Sequence, residues 1–310
     1  MVSRRNVFVA AQWIFAAAVV WAAVRSLRGQ WSAATARLAT LTIGWSWVLA
    51  ATVIVFLTYL LLIETWRRVL TGWNAYLPFR VAARIWFVSN LGKYLPGKVW
   101  SIAAMGVMAR KQAVSPVAAA GSSILIQLVT VATGIALVLV TGIRAVDQPV
   151  LAIVIGVILA AVIATMPAFL PHLARIAGSL SGKTFEIAPV PASSLWLAVA
   201  GSLLSWIAYG LAFQLFVVGV LGGAAGATSS YIAVYAASYI IGFLALFAPG
   251  GVVVRESALV AGMVRLGLAT QADAFAVAVA SRLWLTIVEL LPGFISLGLA
   301  RRSSNAQLTQ

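Results

Sequence analysis

Two Pro-Gly turns flanked by charge interrupt otherwise apolar sequence: NLGKYLPGKVW over Asn90–Trp100 and FAPGGVVVRES over Phe247–Ser257. Backbone that leaves a helix within hydrocarbon must be shielded by protein or water, and ionisable groups there are costly, so such places are where a membrane protein handles its substrate. In the first segment, which starts at Asn90, Gly92, Pro96 and Gly97 break any helix. Lys93 and Lys98 put an ammonium on each side of the turn, with Arg84 one or two turns upstream. Such cations at the edge of hydrocarbon attract phosphate. An interfacial loop whose lysines reach up to headgroups fits the same residues.

In the second segment Pro249, Gly250 and Gly251 end an apolar run, and the Arg255-Glu256 pair falls a few residues into a new helix. The glycines allow close backbone approach, and the helix start offers free N–H groups and a positive dipole end to an anion, which Arg255 reinforces. Neighbours on a helix point about 100° apart, so Glu256 pairs elsewhere, with Lys98 or Arg282 as candidates. Arg282 and Glu289 lie seven residues apart in the last apolar stretch, two turns and nearly one face. Arg282 would extend the basic lining and Glu289 balance it. A structural ion pair that only fixes helix packing is the competing reading for both pairs.

The elements that position these residues are membrane helices. Of 310 residues, 63% are hydrophobic and 9% charged, and mean hydropathy is +1.05. With about 20 apolar residues needed per crossing, spans are expected at Val7–Val24, Leu41–Ile63, Val117–Val140, Val150–Leu170, Leu195–Leu221, Tyr231–Phe247 and Phe275–Ala300. An eighth depends on whether Val81–Met108 or Val252–Leu268 crosses or returns. The fold class is therefore an all-α polytopic protein of seven to eight spans with two re-entrant or broken-helix segments. One integral membrane domain covers 1–302, with a short polar tail at 303–310. A weak internal repeat aligns Pro96-Gly97, Met108, Arg110 and Ser115 with Pro249-Gly250, Met263, Arg265 and Thr270, and paired interruptions of this kind point to a transporter's binding site.

The net charge of +15, from 21 basic and 6 acidic residues, faces phospholipid headgroups or an anionic ligand, since no long soluble segment exists to carry a nucleic-acid site. The absence of cysteine excludes disulfides and thiolate chemistry. Arg4, Arg5, Arg67, Arg68, Arg80 and Arg84 favour a cytoplasmic N-terminus, against Arg25, Arg28 and Arg37. Glu64 with Arg67 and Arg68 reads as an interfacial salt bridge. His172, the only histidine, has no neighbouring Asp or Cys, and no metal or cofactor is expected. Trp66, Trp73, Trp86 and Trp100 read as interface anchors. Gly/Ala clusters such as Leu221–Gly226 and Ala118–Ser122 suit close packing and leave a homo-oligomer open.

At SNLGKYLPGKVWSIAAM and APGGVVVRESALVAG the chain resembles the flippase-like membrane domain of lysylphosphatidylglycerol synthases and their stand-alone relatives. The first family motif is a Leu-Pro-Gly in a polar-flanked turn, matched by Leu95-Pro96-Gly97. The second is a Pro-Gly-Gly run leading to a glutamate, matched by Pro249-Gly250-Gly251 and Glu256. Val253 departs from the pattern, where relatives commonly have glycine. The resemblance implies a multi-helix domain that moves charged or sugar-bearing lipids between leaflets. Members are often fused to an aminoacylating or glycosyltransferase domain, and this sequence reads as having neither, so synthase activity is expected on a separate biosynthetic enzyme.

The leading expectation is a lipid flippase of the plasma (inner) membrane, without enzymatic activity. A headgroup phosphate would be held by Lys93, Lys98 and Arg255, with Glu256 and Glu289 moderating the grip. A membrane-embedded transferase with a lipid-linked donor competes, although Asp147 and Asp273 belong to no acidic motif. A non-transporting partner of a lipid or glycan biosynthetic enzyme is the third reading.

Overall fold

The computed structural model describes residues 42–94, 100–141, 150, 154–159, 161–162, 165, 191–245, 248 and 251–308. Every regular element among them is helical. In chain order these are α1 (Trp45–Thr71), α2 (Phe79–Asn90) running into a 3-10 turn (Leu91–Tyr94), α3 (Trp100–Arg110), α4 (Pro116–Thr141), α5 (Ala192–Leu221), α6 (Thr228–Leu244), α7 (Val254–Arg265) and α8 (Gln271–Leu308).

Four of the described helices are long and apolar enough to cross a membrane: Trp45–Thr71, Pro116–Thr141, Ala192–Leu221 and Gln271–Ser296. The apolar α6 is shorter, with 17 residues. The chain is a multi-pass membrane protein. The expected spans Val7–Val24 and most of Val150–Leu170 lie outside the described residues. α8 continues to Leu308, taking in most of the stretch read as a tail.

The apolar pattern of α1 shows how such a helix chooses its faces. Ala51, Val55, Tyr59, Ile63, Trp66 and Leu70 are buried, whereas Trp45, Leu49, Val53, Leu57 and Leu60 are exposed and apolar. An exposed apolar stripe beside a buried one is what lipid contact requires, because hydrocarbon accepts the outer face at no cost. α1 and α5 lie antiparallel: Gly44 N–H donates to the Gly219 carbonyl at one end, and Gly72 meets Ser194 at the other. Between them, Gly201 packs so tightly on Thr65 that a Cβ would collide with its side chain.

Two similar units pack on this brace. In the first, α3 is followed by a five-residue link and α4; in the second, α7 is followed by a five-residue link and α8. The links share their hydrogen bonds. Val114 N–H donates to the Ala109 carbonyl at 3.2 Å as Leu268 N–H does to Met263 at 2.9 Å, and Ala113 to Arg110 as Gly267 to Val264. Ala113 and Gly267 both have positive φ, at 56° and 66°. The packing is reciprocal: α4 lies against α6, and α8 lies against α2. Each unit also builds its own buried cluster, one around Ile63, Trp66, Ile85 and Leu125, the other around Phe213, Tyr231, Met263 and Val277.

Of the four helices flanking the two Pro-Gly sequences, α6 has 17 residues and the other three are shorter still. α2 and α3 have 12 and 11 residues, and α7 has 12. At 1.5 Å per residue none of these three exceeds about 18 Å, well short of the roughly 30 Å of hydrocarbon. Trp66 corrects the interface reading. It is 0% exposed, and its indole N–H donates to Ser122 Oγ at 3.0 Å, so its polar handle is satisfied inside the core rather than at a headgroup.

Candidate functional site

The second broken segment is held by backbone geometry. Gly251 has φ +67° and comes so close to α6 that a Cβ would lie 2.8 Å from the Gly242 carbonyl oxygen. Two residues later Val253 also has positive φ, at 73°. A β-branched side chain there is strained, a conformation glycine would adopt freely. The resemblance had marked this position as a departure from a common glycine, and the backbone has kept the glycine-like conformation. Glu256 holds the distorted turn: its Oε2 accepts the Val253 N–H at 2.5 Å, tying off a donor that the start of α7 would otherwise leave open.

Seating this turn on Gly242 brings Arg255, two residues after Val253, over the face of α6. A Cβ at Gly242 would meet Arg255 Cβ at 2.7 Å. Tyr235, Tyr239 and Gly242 are spaced i, i+4, i+7 and share one face. The Arg255 guanidinium lies 5.2 Å from the Tyr235 ring centre and 5.8 Å from Tyr239. A guanidinium on two ring faces is stabilised by their quadrupoles. Arg255 makes no ion pair among the described residues, although Glu256 and Glu289 both act on it electrostatically.

The two carboxylates are shared out by α8. Arg282 Nη1 stands 3.5 Å from Glu256 Oε1, and Arg282 is one of the two partners the sequence left open; the other, Lys98, lies outside the described residues. Two turns on, Glu289 Oε2 takes the Lys93 ammonium at 2.5 Å and the Tyr94 hydroxyl at 2.7 Å. The 3-10 turn of the first segment is thereby joined to the same helix that holds the second. One face of α8 thus collects charges from both broken stretches. Among Lys93, Arg255, Arg282, Glu256 and Glu289 three cations meet two carboxylates, leaving one positive charge.

Aromatic side chains that the sequence reading passed over fill the space behind these charges. Tyr209 on α5 stacks on Tyr235 with ring centres 5.5 Å apart, and Tyr59 on α1 meets Tyr209 edge-on at 6.4 Å and Phe87 on α2 at 5.9 Å. The Tyr59 hydroxyl is the one buried side-chain polar atom among the described residues with no hydrogen-bond partner. The signal for α6 was present as YAASYIIG, two tyrosines and a glycine at helical spacing beside the Pro-Gly turn. For Tyr59 and Tyr209 no local signal exists.

Of the other expected site residues, Arg84 and Asn90 are half-buried on α2 and make no side-chain hydrogen bond or ion pair among the described residues. Pro96, Gly97, Lys98, Pro249 and Gly250 lie outside the described residues, as does His172. Glu64 pairs with Arg67 at 2.7 Å and Arg68 at 2.6 Å in the last turns of α1, apart from this cluster in sequence.

No curated protein matches the chain. The family described as the lysylphosphatidylglycerol synthase TM region matches residues 8–293. That range takes in both broken segments and the charged face of α8 as far as Gly293, so the chain belongs to the lysylphosphatidylglycerol synthase transmembrane-region family.

Proposed function

We propose that the protein is a lipid transporter that carries a lipid with a phosphodiester headgroup between leaflets, and that it performs no chemical step of its own. The observation that carries this reading is the convergence of both broken segments on one face of α8, through Lys93 with Glu289 and Arg282 with Glu256. The single positive charge left over suits one phosphodiester, which bears one negative charge. Lys93 and Arg282 would exchange their carboxylates for phosphate oxygens as the headgroup enters, while Arg255, already desolvated on tyrosine faces, supplies a planar donor pair. Because the carboxylates stay close, the anion is bound but not trapped.

The reciprocal packing of α4 on α6 and α8 on α2 gives the motion a mechanical basis. Two similar units that exchange their long helices can rock against one another around a fixed site, as inverted-repeat transporters do. The short helices α2, α3 and α7 would enter the membrane without crossing it and line the path.

The test is native mass spectrometry of the purified chain and a Lys93→Gln variant. The expected result is one retained phosphodiester lipid on the native chain and a several-fold lower occupancy on the variant. Equal occupancy, or retention of neutral lipid only, would overturn the reading.

A further inference from the structure

We propose that Tyr59 is a specificity-determining residue of the central site, where its hydroxyl reads an uncharged, hydroxyl-bearing headgroup carried on the phosphodiester. This deepens the transport reading and rests on it.

Tyr59 is 6% exposed, and its Oη is the one buried side-chain polar atom among the described residues without a hydrogen-bond partner. Buried polar groups are normally satisfied, so an orphan calls for a cause. The adjacent Thr58 shows the usual solution in an apolar helix: its hydroxyl donates to the Ile54 carbonyl at 2.7 Å. Tyr59 has no such option, because its ring carries the hydroxyl away from its own backbone. Other tyrosines of the bundle are given partners. Tyr231 donates to the Ala225 carbonyl at 2.8 Å, and Tyr94 to Glu289 at 2.7 Å.

The surroundings of this hydroxyl connect it to the charged face of α8. Glu289 on α8, Tyr209 on α5, Tyr235 on α6 and Tyr94 in the 3-10 turn all act on it electrostatically. Glu289 and Tyr94 belong to the Lys93 cluster, so the orphan hydroxyl lies beside the place assigned to the phosphate. Tyr94, Tyr209 and Phe87 near it are half-buried rather than closed off.

Two considerations fix the chemistry. The five charges of the site leave one positive charge, which one phosphodiester neutralises. An ammonium on the same headgroup would restore it in a low-dielectric interior. A tyrosine hydroxyl both donates and accepts, and a headgroup hydroxyl is its match. The headgroup is thus a polyol, linear or ring-shaped, and not an amine.

The test titrates the full chain in detergent with dioctanoyl lipids, following heat of binding. Phosphatidylglycerol and phosphatidylinositol carry hydroxyls, phosphatidylethanol has the same single charge and none, and phosphatidylethanolamine adds an ammonium. The native chain should bind at least one hydroxylated lipid about five-fold more tightly than phosphatidylethanol, as one neutral hydrogen bond implies, and phosphatidylethanolamine no better than phosphatidylethanol. Tyr59→Phe should erase that preference, leave phosphatidylethanol affinity unchanged and melt no lower without lipid. Tyr76→Phe, at a tyrosine 72% exposed, should keep the preference. Phosphatidylglycerol or phosphatidylinositol as the favoured probe names a linear or a ring polyol, and either supports the proposal. Equal binding of the three anionic lipids by the native chain would overturn it, as would tighter binding of phosphatidylethanolamine. So would a preference that survives Tyr59→Phe, or an equal loss of every lipid in that variant. If equal native binding falls several-fold in Lys93→Gln, the phosphate reading stands without the hydroxyl contact; no saturable binding of any probe overturns both.

Discussion

Lys93 and Glu289 meet at 2.5 Å, joining the turn after α2 to the last long helix. Side-chain exposures of 36% and 24% place the pair at an intermediate depth, where losing one partner leaves the other only partly hydrated. Glu289→Gln should therefore destabilise the folded protein by about 1–3 kcal/mol, read as a fall in melting temperature in detergent. Lys93→Gln in the same background should add little, because the partner is already gone. Full additivity of the two would mean that the pair is not coupled.

Arg255 tests the tyrosine face of α6. Arg255→Lys keeps the charge and loses the planar contact with Tyr235 and Tyr239, so lipid transport should fall about ten-fold or more while the protein still folds. A Lys variant as active as the native chain would show that charge alone suffices.

Val253 stores strain. With φ at +73°, replacement by glycine should relieve about 1–3 kcal/mol, offset by about 1 kcal/mol of added chain entropy. Val253→Gly should thus melt a few degrees higher, whereas Val253→Ile should not. A lower melting temperature for the glycine variant would mean that valine's packing outweighs its strain.

The Tyr59 hydroxyl, buried without a partner, gives a sign that ordinary core residues do not. Tyr59→Phe should leave stability unchanged or raise it by about 1 kcal/mol. A loss of more than that would reveal a bond to the hydroxyl, from water or a bound group.

The charged residues of the candidate site stood out in sequence because charge and helix-breakers are rare in such apolar stretches. Lys93, Arg255, Glu256, Arg282 and Glu289 were all visible in this way. Their pairing was not: Lys93–Glu289 depends on α2 packing against α8, and no spacing along the chain encodes that. Tyr59 and Tyr209 were invisible for a different reason, since an aromatic in an apolar helix looks like filling until its neighbours are known. The end of α1 was misplaced at Ile63 because Glu64, Arg67 and Arg68 resembled an interfacial stop. The helix runs on to Thr71, with the charges satisfying one another on its surface. Trp66 looked like an anchor for the same reason, and is core because α4 presents Ser122 to it.

The most direct measurement is the transbilayer rate of a fluorescent phosphodiester lipid in proteoliposomes, compared between the native chain and Arg255→Gln. The account predicts rapid movement with the native protein and at least a ten-fold loss in the variant, a difference of about 1.4 kcal/mol or more. Equal rates in the two, or a native rate no faster than protein-free vesicles, would contradict it.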